Sequence, residues 1–462
     1  MTKNLTAGSP TRLIVMFALP LLIGNIFQQA YSFTDAAVVG RLIGVDALAS
    51  VGATGGLVFM LIGFTWGSSG GLAIPVARAF GAGDLASMRR YVAAGVYVTA
   101  GIAATITLVG GLFARHLLTL LATPPELIGG ATTFLSVTFA GASVTATFNF
   151  LAAIIRALGD SRTPLIFLVL ACVLNAGLAL FFVGVLGLGI AGSALATVVA
   201  QSVSVVACLT LIARKMPQLR PRGADWKVGV NVLLESAKSG LAMGFQMSVI
   251  AVGSLVLQFT INGLGAAAVA AYTSAMRVDQ LATAPLNSFG MAMATYVAQN
   301  RGAHAWRRIR VGVVRIGIVN VGLACVLGAV NILFGTSIVR IFVGDGEDAV
   351  VAMAHQYLTI VGTMYALLAV MFVLRGTIQG LGFTGVPTMA GFMELIMRAG
   401  VALLLVHSFG FMGVCFAAPG AWAGALIPVT ISWLHQRHLL LVKEGHPGLG
   451  RRTPDRMALA AA

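Results

Sequence analysis

Charged side chains are scarce in this chain: they make up 9% of its 462 residues, against 58% that are hydrophobic. A soluble domain carries about 25%, so a water-exposed surface cannot be assembled from this sequence. The chain reads as an all-α integral membrane protein. Acidic residues are rarer still, 14 against 29 Lys and Arg, a net charge of +15. In a soluble protein that balance would raise nucleic-acid binding, but here the basic residues lie between apolar stretches without aromatic interleaving. No nucleic-acid partner is expected.

Cysteine is limited to Cys172, Cys208, Cys325 and Cys415, all inside apolar stretches. With no CxxC and no Cys/His cluster they read as packing residues, not metal ligands. No GxxxxGK[ST] occurs and no GxGxxG follows a strand, which argues against direct ATP drive. No Ser/His/Asp, HExxH or paired-carboxylate constellation argues for an enzyme, and no cofactor is expected.

What the chain has in abundance is apolar runs of about 20 residues, the length that crosses a bilayer core as a helix. Twelve are expected, near 13–39, 50–77, 91–114, 128–155, 165–184, 190–213, 240–262, 268–298, 311–334, 350–374, 388–407 and 411–434. The first run follows Lys3 and Arg12 but continues to about Gly40 with no A-x-A site, so it reads as an uncleaved span, not a signal peptide. Basic residues gather on the cytoplasmic side of membrane proteins. With the N-terminus inside, 23 of the 29 fall on the N-terminal segment, inner loops and C-terminal tail, Arg156 and Arg375 among them. Only Arg41, Arg115 and Arg340 fall on outer loops, and Arg277, Arg315 and Arg398 within spans. The expectation is a multi-pass protein of the plasma (inner) membrane with both termini cytoplasmic.

The longest polar interruption, 214–228, lies near the midpoint. Sliding the chain on itself by 221–223 residues brings VARAFGA (76–82) onto VAQNRGA (297–303), and RALG (156–159) with Pro164 onto QGLG (379–382) with Pro387. It also brings Gly44, Ala47 and Ala49 onto Gly265, Ala268 and Ala270. An ordered series of matches at nearly one offset reads as a duplication. The expected organisation is an N-lobe at 1–213, a cytoplasmic linker at 214–238, a C-lobe at 239–436 and a cytoplasmic tail at 437–462. Six spans per lobe is an even number, so the lobes insert alike and are related by a pseudo-twofold axis along the membrane normal.

A carboxylate inside a span costs about 2.5–3.5 kcal/mol or more, so such groups are functional candidates. Asp35, Asp279 and Glu394 are the three. Asp35 lies six residues before Arg41, about 9 Å along a helix, in the outer half of the first span. Gln28 and Tyr31 precede it on the same helix face, an arrangement suited to proton or cation coupling; the alternative is a hydrogen-bonded packing carboxylate. Glu394 and Arg398 stand at i, i+4 and favour mutual neutralisation. Arg277 and Asp279 point to different faces and require partners on other helices or a cavity. Asn149, Asn175, Asn262 and Gln246 are uncharged groups that could line a cavity or join helices.

The segment 25–41, NIFQQAYSFTDAAVVGR, followed by DALASVG at 46–52, resembles the first-span signature of multidrug and toxic compound extrusion (MATE) transporters. The likeness continues through VARAFGAGD, RALGDSRTP, the Gly187/Gly189/Gly192 to Thr197 stretch, AAYTSAMRVDQ and YVAQNRGA, closer to the DinF-like branch than to the NorM-like one. The resemblance implies a V-shaped pair of six-helix lobes, monomeric and surrounded by membrane lipids, that exports amphipathic, often cationic organic compounds in exchange for H⁺ or Na⁺. It implies Asp35 as the coupling carboxylate, with Tyr31 and Gln28 beside it, Asn175 on the fifth span and Thr197 on the sixth; Na⁺, if it is the ion, would sit at Asp35 and Asn175. Gln28, Asn149, Arg277, Asp279, Glu394 and Arg398 are the candidate substrate-binding residues. Ala179 stands where many relatives have a second acid, and 240–250 lacks the acid of the NorM-like branch, which favours one-proton coupling. A lipid-linked precursor flippase is the runner-up and would require a large basic central cavity, against which the few intramembrane arginines argue. A non-transporting membrane scaffold is the third alternative.

Overall fold

The computed structural model describes residues 4–121, 123–343 and 347–445; Lys3, Arg451, Arg452 and Arg456, expected on the cytoplasmic side, lie outside them. Its elements are α1 (Pro10–Leu42), α2 (Val45–Gly81), α3 (Leu85–Leu120), α4 (Pro125–Ala140), α5 (Ala142–Ala157), α6 (Arg162–Ala179) and α7 (Gly189–Lys215) in the N-terminal half. The C-terminal half holds α8 (Val230–Asn262), α9 (Ala266–Gly302), α10 (Trp306–Val343), α11 (Asp348–Gly380), α12 (Gly385–Phe409), α13 (Phe411–Cys415) and α14 (Ala417–Gly445). No strand occurs among the described residues. Helices suit a bilayer core because their interior backbone N–H and C=O groups pair within the helix.

Ten helices among the described residues are long and apolar enough to span a membrane, and α4 with α5, bent by 47° at Gly141, makes eleven. The twelfth expected span, α9, has the length, 37 residues. It falls short in apolar content because Arg277, Asp279, Gln280, Asn287 and Gln299 lie along it. Helices also run several residues past the apolar cores expected from sequence. The stretch read as a 214–238 linker is helical from Val230 onward, leaving two short 3₁₀ turns at Pro217–Leu219 and Gly223–Trp226. Most basic residues expected in inner loops therefore sit in terminal helical turns. Arg375, expected in a loop, is inside α11 and 5% exposed; Arg156 is in the last turns of α5.

The repeat reappears in the backbone. Positive φ falls at Gly44 (+124°) and Gly265 (+93°), at Gly83 (+72°) and His304 (+55°), and at Gly159 (+81°) and Gly382 (+82°), always 221 or 223 residues apart. His304 is the only non-glycine residue in that region among the described residues, and it occupies the turn that Gly83 occupies in the first half. Neighbour relations repeat as well: α1 packs on α6 as α8 packs on α12, and α2 packs on α3 as α9 packs on α10. Between the halves α2 meets α8 and α1 meets α9, the exchange that a twofold relation requires.

All helix ends rich in Lys and Arg lie at one end of the bundle, the basic end, and here the halves are sealed. A Cβ on Gly302 would collide with the Arg78 carbonyl oxygen, and one on Gly81 with that of Gln299, so α2 and α9 touch backbone to backbone. Gln299 Nε2 donates to Ala157 O at 2.7 Å, Leu5 N donates to Gln299 Oε1 at 2.9 Å, and Arg78 pairs with Glu235 at 2.7 Å. Toward the opposite end, exposed polar stripes run along α1 (Gln28, Ser32) and α9 (Thr273, Arg277, Gln280). Polar groups on a lipid-facing surface are costly, so these stripes line an open cleft.

Gly302→Val is expected to wedge the sealed end apart. Overpacking of this kind costs roughly 1–3 kcal/mol, about a fivefold or larger shift of the closed-to-open ratio. The readout is the reaction rate of a cysteine placed at buried Ala77, in a background lacking the native cysteines, with an impermeant thiol reagent. The rate should rise by about that factor, and an unchanged rate would mean the contact does not hold the seal.

Candidate functional site

Asp35 lies seven residues before the end of α1, in the half of the bundle away from the basic end, and is partly buried against α7. Ser193 Oγ, one turn into α7, donates to Asp35 Oδ1 at 2.7 Å. One turn earlier on α1, Tyr31 Oη donates to Thr197 Oγ1 at 2.8 Å, and Asn175 Nδ2 of α6 donates to the same oxygen at 3.0 Å. Tyr31 and Asp35, at i and i+4, thus engage Thr197 and Ser193, also at i and i+4, across the α1–α7 interface. The buried Asn175 Oδ1 has no hydrogen-bond partner among the described residues, leaving a carbonyl oxygen free to accept from water or a cation. Asp35, Tyr31, Asn175 and Thr197 are therefore neighbours; helix spacing relates only Tyr31 to Asp35, and Asn175 and Thr197 come from other helices.

Ser193 was missed from sequence. The signal was present, since Ser193 and Thr197 share a helix face, but hydroxyls four apart are common in apolar helices and only tertiary packing says what they touch.

The candidate substrate residues divide into three groups. Gln28 and Asn149 line one cavity together with Asn25, Trp66 and Arg156; Asn149 also approaches Thr65 Oγ1 at 3.4 Å. Arg277 is exposed on α9 with its guanidinium 5.3 Å from the Phe33 ring of α1, a cation–π contact across the cleft. Asp279, on the other face of α9, is 7% exposed and accepts from Tyr365 Oη at 2.7 Å, which in turn accepts from Asn331 Nδ2 at 2.8 Å. Glu394 and Arg398 pair at 2.8 Å, as the i, i+4 spacing suggests, but Glu394 is shared with Arg375 of α11 at 3.2 Å. Asp279, Glu394 and Arg398 line neither of the two cavities described here; they join helices within the C-terminal half.

The larger cavity lies between the halves, above the sealed end, and encloses about 880 Å³ of empty space including its mouth. Its wall is Phe17, Trp66, Met243, Met247, Met291 and Phe372 among other apolar groups, with Asn287, Thr295 and Gln379 as neutral polar ones. Arg156 and Arg375 also line it. The sequence argument that intramembrane arginines are too few for a basic central cavity is thereby corrected. The apolar runs end before the helices do, so hydropathy alone puts both residues in loops.

Among the described residues, eleven apolar spans with the equally long α9, two halves that exchange neighbours, and a cleft sealed at one end between them define a secondary membrane transporter. A family model described as MatE matches residues 20–181 and again 242–404, one block per half at the spacing of the repeat, and the chain belongs to this family of multidrug transporters. The probable multidrug resistance protein YpnP of Bacillus subtilis is 30% identical over 381 residues, 82% of this chain and 84% of that protein. Among solved structures, a MATE transporter in complex with MaL6 superposes with a TM-score of 0.87 at 21% identity, covering 96% of this chain and all of that one. The MATE transporter VcmN of Vibrio cholerae gives 0.84 at 22% identity over 94% and 97%.

Proposed function

We propose that this transporter is an antiporter that exports amphipathic or cationic organic compounds in exchange for H⁺ or Na⁺, with Asp35 as the coupling carboxylate. The observation that carries the reading is the Asp35–Ser193 hydrogen bond, next to Tyr31, Thr197 and Asn175. It gives the carboxyl a partner inside the protein and places it away from the sealed end. The distribution of basic residues supports a plasma (inner) membrane protein with both termini cytoplasmic, in which the open cleft faces outward. Lobes at 1–213 and 239–436, a linker at 214–238, a tail at 437–462, a monomeric state and kinship with the DinF-like branch belong to the same reading.

In the proposed cycle a proton or Na⁺ enters from the open side and neutralises Asp35. The α1–α7 contacts then rearrange, and substrate leaves the cleft. After the cleft reopens at the basic end the ion departs and substrate binds again, because a charge in this position favours a different packing from a neutral group. The alternative of a lipid-linked precursor flippase gains from the two cavity arginines, which suit an anionic headgroup. The gradient test is efflux of a fluorescent organic cation from proteoliposomes under separately imposed pH and Na⁺ gradients. Efflux driven by one gradient and collapsed by its ionophore is expected. Absence of driven efflux under both, with lipid-linked substrate crossing instead, would favour the flippase, and absence of all transport a scaffold.

A further inference from the structure

We infer that Arg156 and Arg375 form an anion-accepting subsite in the cavity between the halves, which binds a carboxylate or phosphate carried on an apolar body. The inference deepens the transport reading, on which it rests, by specifying a chemical group of the substrate. The formal charge of the cavity wall is positive. Arg156, Arg375, Asn287, Thr295 and Gln379 supply the cavity's polar lining, and no Asp or Glu lines it among the described residues.

Neither guanidinium is fully compensated within the described residues. Arg156 faces both cavities and makes no ion pair or hydrogen bond among the described residues. Arg375 is 5% exposed; its Nη2 reaches Glu394 Oε2 at 3.2 Å and Met371 Sδ at 3.0 Å, but its buried Nε has no partner among the described residues. Glu394 is not free to neutralise it fully, because its other oxygen accepts from Arg398 Nη2 at 2.8 Å. One carboxylate between two guanidiniums, with a third guanidinium across the cavity, leaves uncompensated positive charge. A buried cation is costly until paired, and guanidinium donors match a carboxylate or phosphate. The walls contributed by Phe17, Trp66, Met243, Met247, Met291 and Phe372 accept an apolar body, and thioether-rich walls adapt to varied shapes.

The two arginines come from different halves, Arg156 from α5 and Arg375 from α11. An anion held between them contacts both halves at once, so occupancy and the sealed state favour each other by linkage.

The test uses the full-length purified protein in nanodiscs, without any gradient, and reads the Trp66 component of fluorescence as the difference from a Trp66→Phe variant. Hexyl phosphate and hexanoate are titrated against hexyltrimethylammonium of the same chain length. Binding of both anions is expected, weakened at least about tenfold in Arg156→Gln, equivalent to about 1.4 kcal/mol. Recovery should be partial in Arg156→Lys, which keeps the charge but loses the guanidinium fork. Arg375→Gln is a second variant, and Arg156→Gln carries the test alone if that one does not fold.

Comparison of phosphatidylglycerol with phosphatidylcholine nanodiscs identifies the source of the anion. Weaker apparent binding of hexyl phosphate in the former means that a lipid headgroup occupies the subsite. Equal binding in both means that a free organic anion does. Anion binding unaffected by Arg156→Gln, or matched by the ammonium probe, overturns the proposal. That failure leaves the gradient-driven antiport untouched, because binding is measured without a gradient; loss of driven transport with anion binding intact would overturn the antiport reading instead.

Discussion

Asp35→Asn is expected to reduce gradient-driven efflux to the level of protein-free liposomes while leaving the fold intact. Asparagine keeps an oxygen that can accept from Ser193 Oγ, now 2.7 Å from the carboxylate, and it cannot change charge. The α1–α7 contact should therefore survive, with a stability change of no more than about 1 kcal/mol, while the exchange of an ion for substrate is lost. The measurement pairs efflux under the driving gradient with thermal melting of the same preparation. Undiminished, gradient-dependent efflux by the variant would remove Asp35 from the mechanism. A collapsed melting point would instead make it a packing carboxylate, the alternative that its position near a helix end leaves open.

Glu394→Gln is expected to have the largest effect on stability. The carboxylate is 4% exposed and lies between Arg375 and Arg398, whose side chains are 6% and 12% exposed. Replacing it by an uncharged amide leaves two buried guanidiniums without a counter-charge, and breaking a buried pair in this way costs about 3–5 kcal/mol. Removing all three charges together, as Glu394→Gln with Arg375→Met and Arg398→Met, should recover most of that loss, because apolar groups of similar volume need no compensation. Thermal unfolding of the purified single and triple variants decides the matter. If the single variant melts with the wild type, the pair is solvated and contributes nothing to holding α11 on α12.

The contrast between these two carboxylates shows how much of the site was legible. For Asp35 the helical spacing of Gln28, Tyr31 and Asp35 identified a face, and the likeness to MATE transporters identified Asn175 and Thr197 as its companions. For Glu394 the i, i+4 spacing identified Arg398 but not Arg375, which lies 19 residues away on the preceding helix. Spacing along one helix is readable because its geometry is fixed at 3.6 residues per turn. Contacts between helices depend on rotation and depth, which no local pattern encodes.

The arginines were misplaced for a related reason. Hydropathy marks where a helix enters the bilayer core, whereas hydrogen bonding continues the helix past that point. Arg156 and Arg375 follow apolar runs closely enough to look like loop residues, yet both remain helical and line the central cavity.

Amino-acid order is enough to make this protein a bundle of membrane-spanning helices with a duplicated plan. Both conclusions follow from quantities summed over many residues: an apolar length matched to the bilayer, and a pattern repeated at one offset. The tertiary structure alone decided that the basic end is sealed through backbone contacts at Gly81 and Gly302, that Ser193 reaches Asp35, and that two guanidiniums from different halves share one cavity. Each of these depends on how helices far apart in the chain are turned toward one another, and that is set by the packing of the whole bundle at once.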